Sequence, residues 1–354
     1  MASSLGLGLT HYPLLAGTDE NMANLLRWTL QDPDIPEHLK DVASWSDEKK
    51  REWSDDNGRA AAAEHRAALV ENLATCRAAL DEFDPDIVVV WGDDQFENFR
   101  EEVIPPFCIL AYDDLEVHAF GKMVDRGLPN VWGLPAETKF TLKGDVDAAR
   151  ELTDGLLESG FDMAYSYRKR EETHFPHAIA NTQLFLDYDN AGREFPYPIL
   201  PITVNCYGQH AIARRGGIAR FAEIADERLD PAGPSPARCM ALGSAVAKCM
   251  SQTGKRVAYV ASSSWSHAFL NDKDWHLQPD IPADQKFFDA MVDGDREYWR
   301  SATGRQIVEA GQHEMLNWFC MLGAVDELGL KLTHSDLVTT EIFNSNKAFA
   351  VYSE

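Results

Sequence analysis

Ile87-Val88-Val89-Val90-Trp91-Gly92-Asp93-Asp94-Gln95 is the stretch that decides the fold. Five apolar residues, mostly β-branched, run without a polar interruption and stop at a glycine and three polar residues. An amphipathic helix would break that run every third or fourth position, and a half-buried strand would alternate. An unbroken run of this length reads as a strand buried on both faces of a mainly parallel sheet. Just before it, Ala60 to Leu80 is rich in strong helix formers with apolar spacings of three and four, and Asp84-Pro85-Asp86 ends it.

The same alternation extends both ways. Leu5 to Leu9 reads as a first strand ending in Thr10-His11-Tyr12-Pro13. Downstream, Asp145 to Ser159 reads as helix, Phe161 to Tyr165 as strand, Ala178 to Leu186 as helix and Ile199 to Val204 as strand. Ile218 to Asp226 and Pro236 to Ser251 read as helices, Val257 to Val260 as a strand, Ala283 to Leu328 as mostly helix and Lys347 to Tyr352 as a last strand. Strands alternating with helices predict an α/β fold with a central, mainly parallel or mixed sheet and helices on both faces. No repeat or low-complexity linker divides the chain, so a single α/β domain over residues 1–354 is expected.

Composition narrows the function. A chain of 354 residues with 45% hydrophobic and 25% charged residues is globular, and long enough for a core that needs no disulfide or structural metal. A formal net charge of -24 repels phosphate backbones, so nucleic acid is not an expected partner. The six cysteines are scattered without a C-x-x-C and read as reduced, buried thiols. No apolar run approaches the roughly 18 residues that span a bilayer, and the N-terminus lacks the charged and apolar regions of a signal peptide. A cytoplasmic protein with no membrane partner is expected.

In a parallel sheet, ligands bind beyond the carboxyl ends of the strands. Three strands here end in ligand-capable residues: His11 after the first, Asp93-Asp94-Gln95 after the second, and Ser262-Ser263-Ser264-Trp265-Ser266-His267 after the late one. Such ends can converge on one site. His177 follows Pro176 at a helix start, where the positive end of the dipole favours a neutral imidazole able to act as a base. Phosphate-binding, dinucleotide-binding, nucleophile-elbow and H-E-x-x-H signatures are absent. His118, His210, His276 and His313 read as ordinary structural histidines.

Taken in order, these segments resemble the class III extradiol ring-cleavage dioxygenases, which open catechol-like rings with non-haem iron(II). Thr10-His11-Tyr12-Pro13 resembles the N-terminal motif whose histidine ligates iron. Gly92-Asp93-Asp94-Gln95-Phe96-Glu97-Asn98-Phe99, followed by Ile104-Pro105-Pro106-Phe107-Cys108, is similar to the second-ligand motif. His177-Ala178 before Asn181-Thr182 looks like the catalytic-histidine segment, and Ser266-His267 resembles a late serine-histidine pair. Two positions depart from the pattern. Gln95 stands where the second histidine ligand is expected, and Pro282, flanked by Asp280 and Asp284, stands where the third, a glutamate, is expected.

The resemblance implies an extradiol-type dioxygenase taking a small aromatic or heteroaromatic diol, or an aminophenol, together with dioxygen. It implies Fe(II), or another divalent metal, held by His11 and by Asp94 or Gln95. Asp280 comes first for the carboxylate, with Asp284 and His267 behind it. His177 would be the catalytic acid/base, and Trp91, Phe96, Phe99 and Trp265 would line the ring pocket. Homo-oligomers, or pairing with a related subunit, are implied as well. The alternatives are a lyase or hydrolase with altered metal chemistry on the same fold, and a non-catalytic binding or assembly subunit.

Overall fold

The computed structural model describes residues 3–121 and 126–354. Ten strands are assigned among them: β1 (Ser4–Leu9), β2 (Ile87–Asp93), β3 (Phe107–Leu110), β4 (Leu115–His118), β5 (Lys139–Leu142), β6 (Ala164–Ser166), β7 (Ile199–Val204), β8 (Val257–Ser262), β9 (Lys331–Val338) and β10 (Lys347–Ser353). Eight form one sheet in the order β6-β3-β7-β2-β8-β1-β10-β9, while β4 and β5 make a separate hairpin. At the centre β7, β2, β8 and β1 run parallel. β3 joins β7 antiparallel on one side, and β10 joins β1 antiparallel on the other. The expected mixed α/β sheet is thus present.

Every residue of β1, β2, β7 and β8 is buried, which explains their unbroken apolar character. Alternate side chains of β2 enter different cores. Val88 and Val90 pack with the long helix Arg59–Phe83 through Leu69, Leu73 and Leu80. Ile87, Val89 and Trp91 pack on the other face with the helices Pro236–Ser251 and Leu316–Leu328. The two-residue period of a strand therefore distributes one apolar run over two helical layers.

Some elements depart from expectation. The helix expected over Ile218 to Asp226 is a single turn, Phe221–Ile224. The C-terminal helical region is divided into Ile281–Val292, Arg296–Ser301, Gly304–Glu309 and Leu316–Leu328, each of the first three capped by a side chain at its start. β3 and the edge strand β9 went unrecognised. Among the described strands β9 pairs only with β10, and its half-exposed polar residues hide the strand period.

The helices Pro236–Ser251 and Leu316–Leu328 touch through facing glycines. A Cβ on Gly323 would lie 2.0 Å from the Met240 carbonyl oxygen, and one on Gly243 would lie 1.7 Å from that of Cys320. Both obstacles are backbone, so no side chain can swing aside. Gly323→Ala is expected to destabilise the protein by about 2–3 kcal/mol through overpacking. Urea unfolding followed by circular dichroism measures this, and an unchanged midpoint would show that the helices can separate freely.

Candidate active site

The carboxyl ends of β2, β8 and β1 lie abreast, with Gly92 and Leu9 both in register with Ser262. The chain leaves this edge towards Asp93, His11 and His267. A fourth group arrives from another direction. Glu314 sits in the 3-10 turn His313–Met315, immediately before the helix Leu316–Leu328. His11 Nε2 is 3.3 Å from Glu314 Oε2 and 3.7 Å from Asp93 Oδ1. His267 Nε2 is 3.4 Å from the same Glu314 Oε2. All four side chains are buried.

Both imidazoles are held from behind. His11 donates from Nδ1 to the Ser262 carbonyl at 2.8 Å, and His267 donates from Nδ1 to the Trp265 carbonyl at 2.8 Å. A carbonyl can only accept, so each Nδ1 keeps its proton and Nε2 is the nitrogen offered to Glu314. Metal-ligating histidines are commonly oriented in this way. Glu314 is anchored by its other oxygen, Oε1, which accepts a 2.8 Å hydrogen bond from the Tyr207 hydroxyl. Its Oε2 is buried without a hydrogen-bond partner among the described residues. A buried carboxylate oxygen facing two imidazole nitrogens is costly unless positive charge joins it.

The electrostatics favour such a charge. Burial works to lower the pKa of His11, but Glu314 and Asp93 outweigh it and raise it to about 9. Burial works to raise Glu314, yet His267 and His11 hold its carboxyl well below the usual range. His267 is lowered, by burial first, with Glu314 opposing. A field that retains a proton on His11 would equally retain a metal cation. His11, Asp93 and Glu314 can each offer a ligand atom within 4.8 Å of the others, and His267 adds a second imidazole. Two imidazoles and a carboxylate are a fitting donor set for iron(II).

His177 is the first residue of the helix His177–Leu186. That helix is tied to the strand ends: Ser262 donates to the Ala178 carbonyl and the Asn181 amide donates to the His11 carbonyl. The His177 ring stands edge-on to His11, with centroids 4.8 Å apart. Its Nδ1 lies 2.9 Å from Glu97 Oε2, the oxygen that also accepts the His177 backbone N–H at 3.0 Å. One carboxylate oxygen therefore caps the helix and orients the ring. Pro176 is the residue just before the helix.

Of the remaining candidates, the three aspartates Asp94, Asp280 and Asp284 are engaged elsewhere. Asp94 accepts from the backbone N–H groups of Glu97, Asn98 and Phe99, building the turn after β2, and burial foremost raises it to about 7. Asp280 caps the helix Ile281–Val292 through Ala283 and pairs with Lys273. Asp284 accepts from the Gln312 and Asn346 amides and the Ser266 N–H, so it braces the segments that carry His267 and Glu314. Gln95 donates to the Tyr207 hydroxyl. Glu314, Glu97 and Tyr207 were not singled out in the sequence. For Glu314 the available signal was a glutamate next to an apolar helix.

A cavity of about 280 Å³ opens on the cluster, bordered by His11, His177, His267 and Glu314 and walled by Tyr12 and Phe269. Trp91 and Trp265, expected there, lie in the core against Tyr259 and against Trp299 and Trp318. Phe96 and Phe99 border a small recess beside Asp94. At the opening of the 280 Å³ cavity, Arg126 and Arg215 are exposed.

Residues 225–350 match the family model of the catalytic LigB subunit of aromatic ring-opening dioxygenase. A 2,3-dihydroxyphenylpropionate/2,3-dihydroxicinnamic acid 1,2-dioxygenase of Pseudomonas putida is 26% identical over 225 residues, covering 64% of this chain and 54% of the relative. The enzyme so named from Comamonas testosteroni is 29% identical over 207 residues, covering 58% and 50%. The chain spans about half the length of these curated relatives. No helix among the described residues is long and apolar enough to cross a membrane.

Proposed function

We propose that this chain, a relative of the class III extradiol ring-cleavage dioxygenases, opens the ring of a small catechol-like substrate that carries an anionic side group. The observation that supports this most is the meeting of two backbone-anchored histidine Nε2 atoms at one unbonded oxygen of Glu314. His11, His267 and Glu314 would hold the metal, with Asp93 beside them. Iron(II) bound there would supply Lewis acidity towards a catecholate and redox chemistry with dioxygen. Intact donors favour a catalytic chain over a non-catalytic partner subunit. Strands from residue 4 to residue 353 share one sheet, which supports one α/β unit. The six free thiols suit a cytoplasmic setting.

The chain's own groups have distinct tasks. His177 takes the proton of a substrate hydroxyl at Nε2 and returns it later, while Glu97 fixes the ring through Nδ1 and stabilises the imidazolium that forms. Tyr12 and Phe269 flank the aromatic ring and exclude water. Arg215, without an ion pair among the described residues, meets the side group at the cavity opening. The names of the relatives, whose substrates carry a carboxylate, agree with that placement.

Oxygen uptake by iron-loaded protein with 2,3-dihydroxyphenylpropionate and with unsubstituted catechol tests the reading. Uptake with a yellow ring-opened product is expected. Tight iron binding with no uptake on either compound would overturn it in favour of a lyase or hydrolase. Arg215→Gln is expected to raise KM for the carboxylated substrate about tenfold, the value of one exposed charged hydrogen bond, and to leave kcat nearly unchanged. An equal loss on unsubstituted catechol would show that Arg215 acts on something other than the side group.

A further inference from the structure

We propose that Gln95 does not ligate the metal but acts through Tyr207 as a positioning residue for Glu314. This inference rests on the metal site described above and assigns a task to the residue that departs most from the ligand pattern. The hydrogen-bond directions carry it. Tyr207 has a single hydroxyl proton, and that proton is directed to Glu314 Oε1 at 2.8 Å, because an ionised carboxylate can only accept. The hydroxyl oxygen is then left to accept, and the Gln95 side chain beside it must present its NH2 group rather than its carbonyl oxygen. The order is fixed as Gln95 N–H to Tyr207 O–H to Glu314 Oε1. A reversed amide would bring two acceptors together with no proton between them. An amide carbonyl is the atom through which a glutamine would ligate a metal, and here it is the amide NH2 that is directed at Tyr207.

Packing holds the chain of bonds in place. Tyr207 is 2% exposed. Gly216, at a φ of +61°, lies so close to Gln95 that a Cβ on it would be 2.3 Å from the Gln95 backbone carbonyl oxygen and 2.8 Å from the side-chain Cγ. Gln95 is thus confined between Gly216 and Tyr207. The consequence at the other end is rotational. With Oε1 tied to Tyr207, Glu314 presents Oε2 to His11 and His267. A histidine at position 95 could donate directly to a metal. A glutamine cannot match that donation, but it can secure the orientation of the carboxylate that does donate.

Cobalt(II) titration of the metal-free full chain tests this, read as affinity and as the visible absorption of the bound ion. Tyr207→Phe keeps the ring and removes only the hydroxyl. It is expected to weaken cobalt binding roughly tenfold to a hundredfold, as loss of a partner behind a ligand does. Gln95→Leu is expected to weaken binding less and to leave the cobalt spectrum unchanged. The double variant should bind no more weakly than Tyr207→Phe alone, since both act through one hydroxyl. A spectrum altered by Gln95→Leu, or additive losses, would make Gln95 a ligand and overturn the proposal. Unaltered affinity in both single variants would overturn it too, while leaving the metal site standing. Wild-type protein that binds no cobalt would instead remove the metal site and this inference together. Melting temperatures of the metal-free variants identify any that misfold, and Gln95→Leu, which leaves Tyr207 in place, then carries the test.

Discussion

His177→Ala is expected to keep bound metal and to lose turnover by about two to four orders of magnitude, the range over which one positioned acid/base group acts. The reasoning starts from the helix. His177 is its first residue, and the Ser262 and Asn181 hydrogen bonds fix that helix against the strand ends without using the His177 ring. The ring can therefore be removed while the helix stays. The clustered donor atoms are those of His11, Asp93 and Glu314, with His267 beside them, while the His177 ring stands edge-on to His11, so the role assigned to it is that of a Brønsted group in the cavity. Metal content and oxygen uptake are measured on the same preparation. Metal lost in proportion to activity would make His177 a ligand and remove the assigned role. Retained activity would place the acid/base on another group.

How much of this was legible beforehand depends on how far each signal travels along the chain. β1, β2, β7 and β8 were recognisable because burial on both faces writes itself into consecutive residues. The convergence of His11, the turn after β2 and His267 followed from parallel strand order. Glu314 was harder to see. Its local sequence, Gln312-His313-Glu314-Met315-Leu316, is that of an acidic residue opening an apolar helix, an ordinary arrangement at a helix start. Its place at the site comes from how the helix Leu316–Leu328 packs against β8 and β1, a tertiary fact. Asp280 drew attention for the opposite reason. It lies near His267 in sequence, yet Asp280-Ile281-Pro282 is a helix cap followed by a first-turn proline. The tryptophans Trp91 and Trp265 show the same limit, since a large ring next to a polar strand end can turn inward as easily as towards a ligand.

Glu314→Gln should abolish metal binding, and its effect compared with neighbouring variants decides the donor set. The substitution is nearly isosteric and keeps an oxygen that Tyr207 can reach, so the fold has little reason to change. What it removes is the negative charge facing His11 and His267. A neutral amide is a much weaker donor to a divalent ion. Metal content after dialysis is expected to fall below about a tenth of the wild-type value, consistent with the loss of a primary ligand exceeding the tenfold to hundredfold cost of losing an outer partner. His11→Ala and His267→Ala should approach the same loss, because each contributes an Nε2 aimed at Glu314 Oε2. Asp93→Asn should retain more, since Asp93 is the more distant carboxylate from His11, at 3.7 Å against 3.3 Å. If Asp93→Asn empties the site while His267→Ala keeps it filled, the donors are His11, Asp93 and Glu314, with one imidazole and two carboxylates. That set carries more negative charge and harder donors, and it would suit a divalent ion without redox chemistry better than iron(II). The comparison therefore separates an oxygenase from a metal-dependent lyase or hydrolase before any substrate is tried.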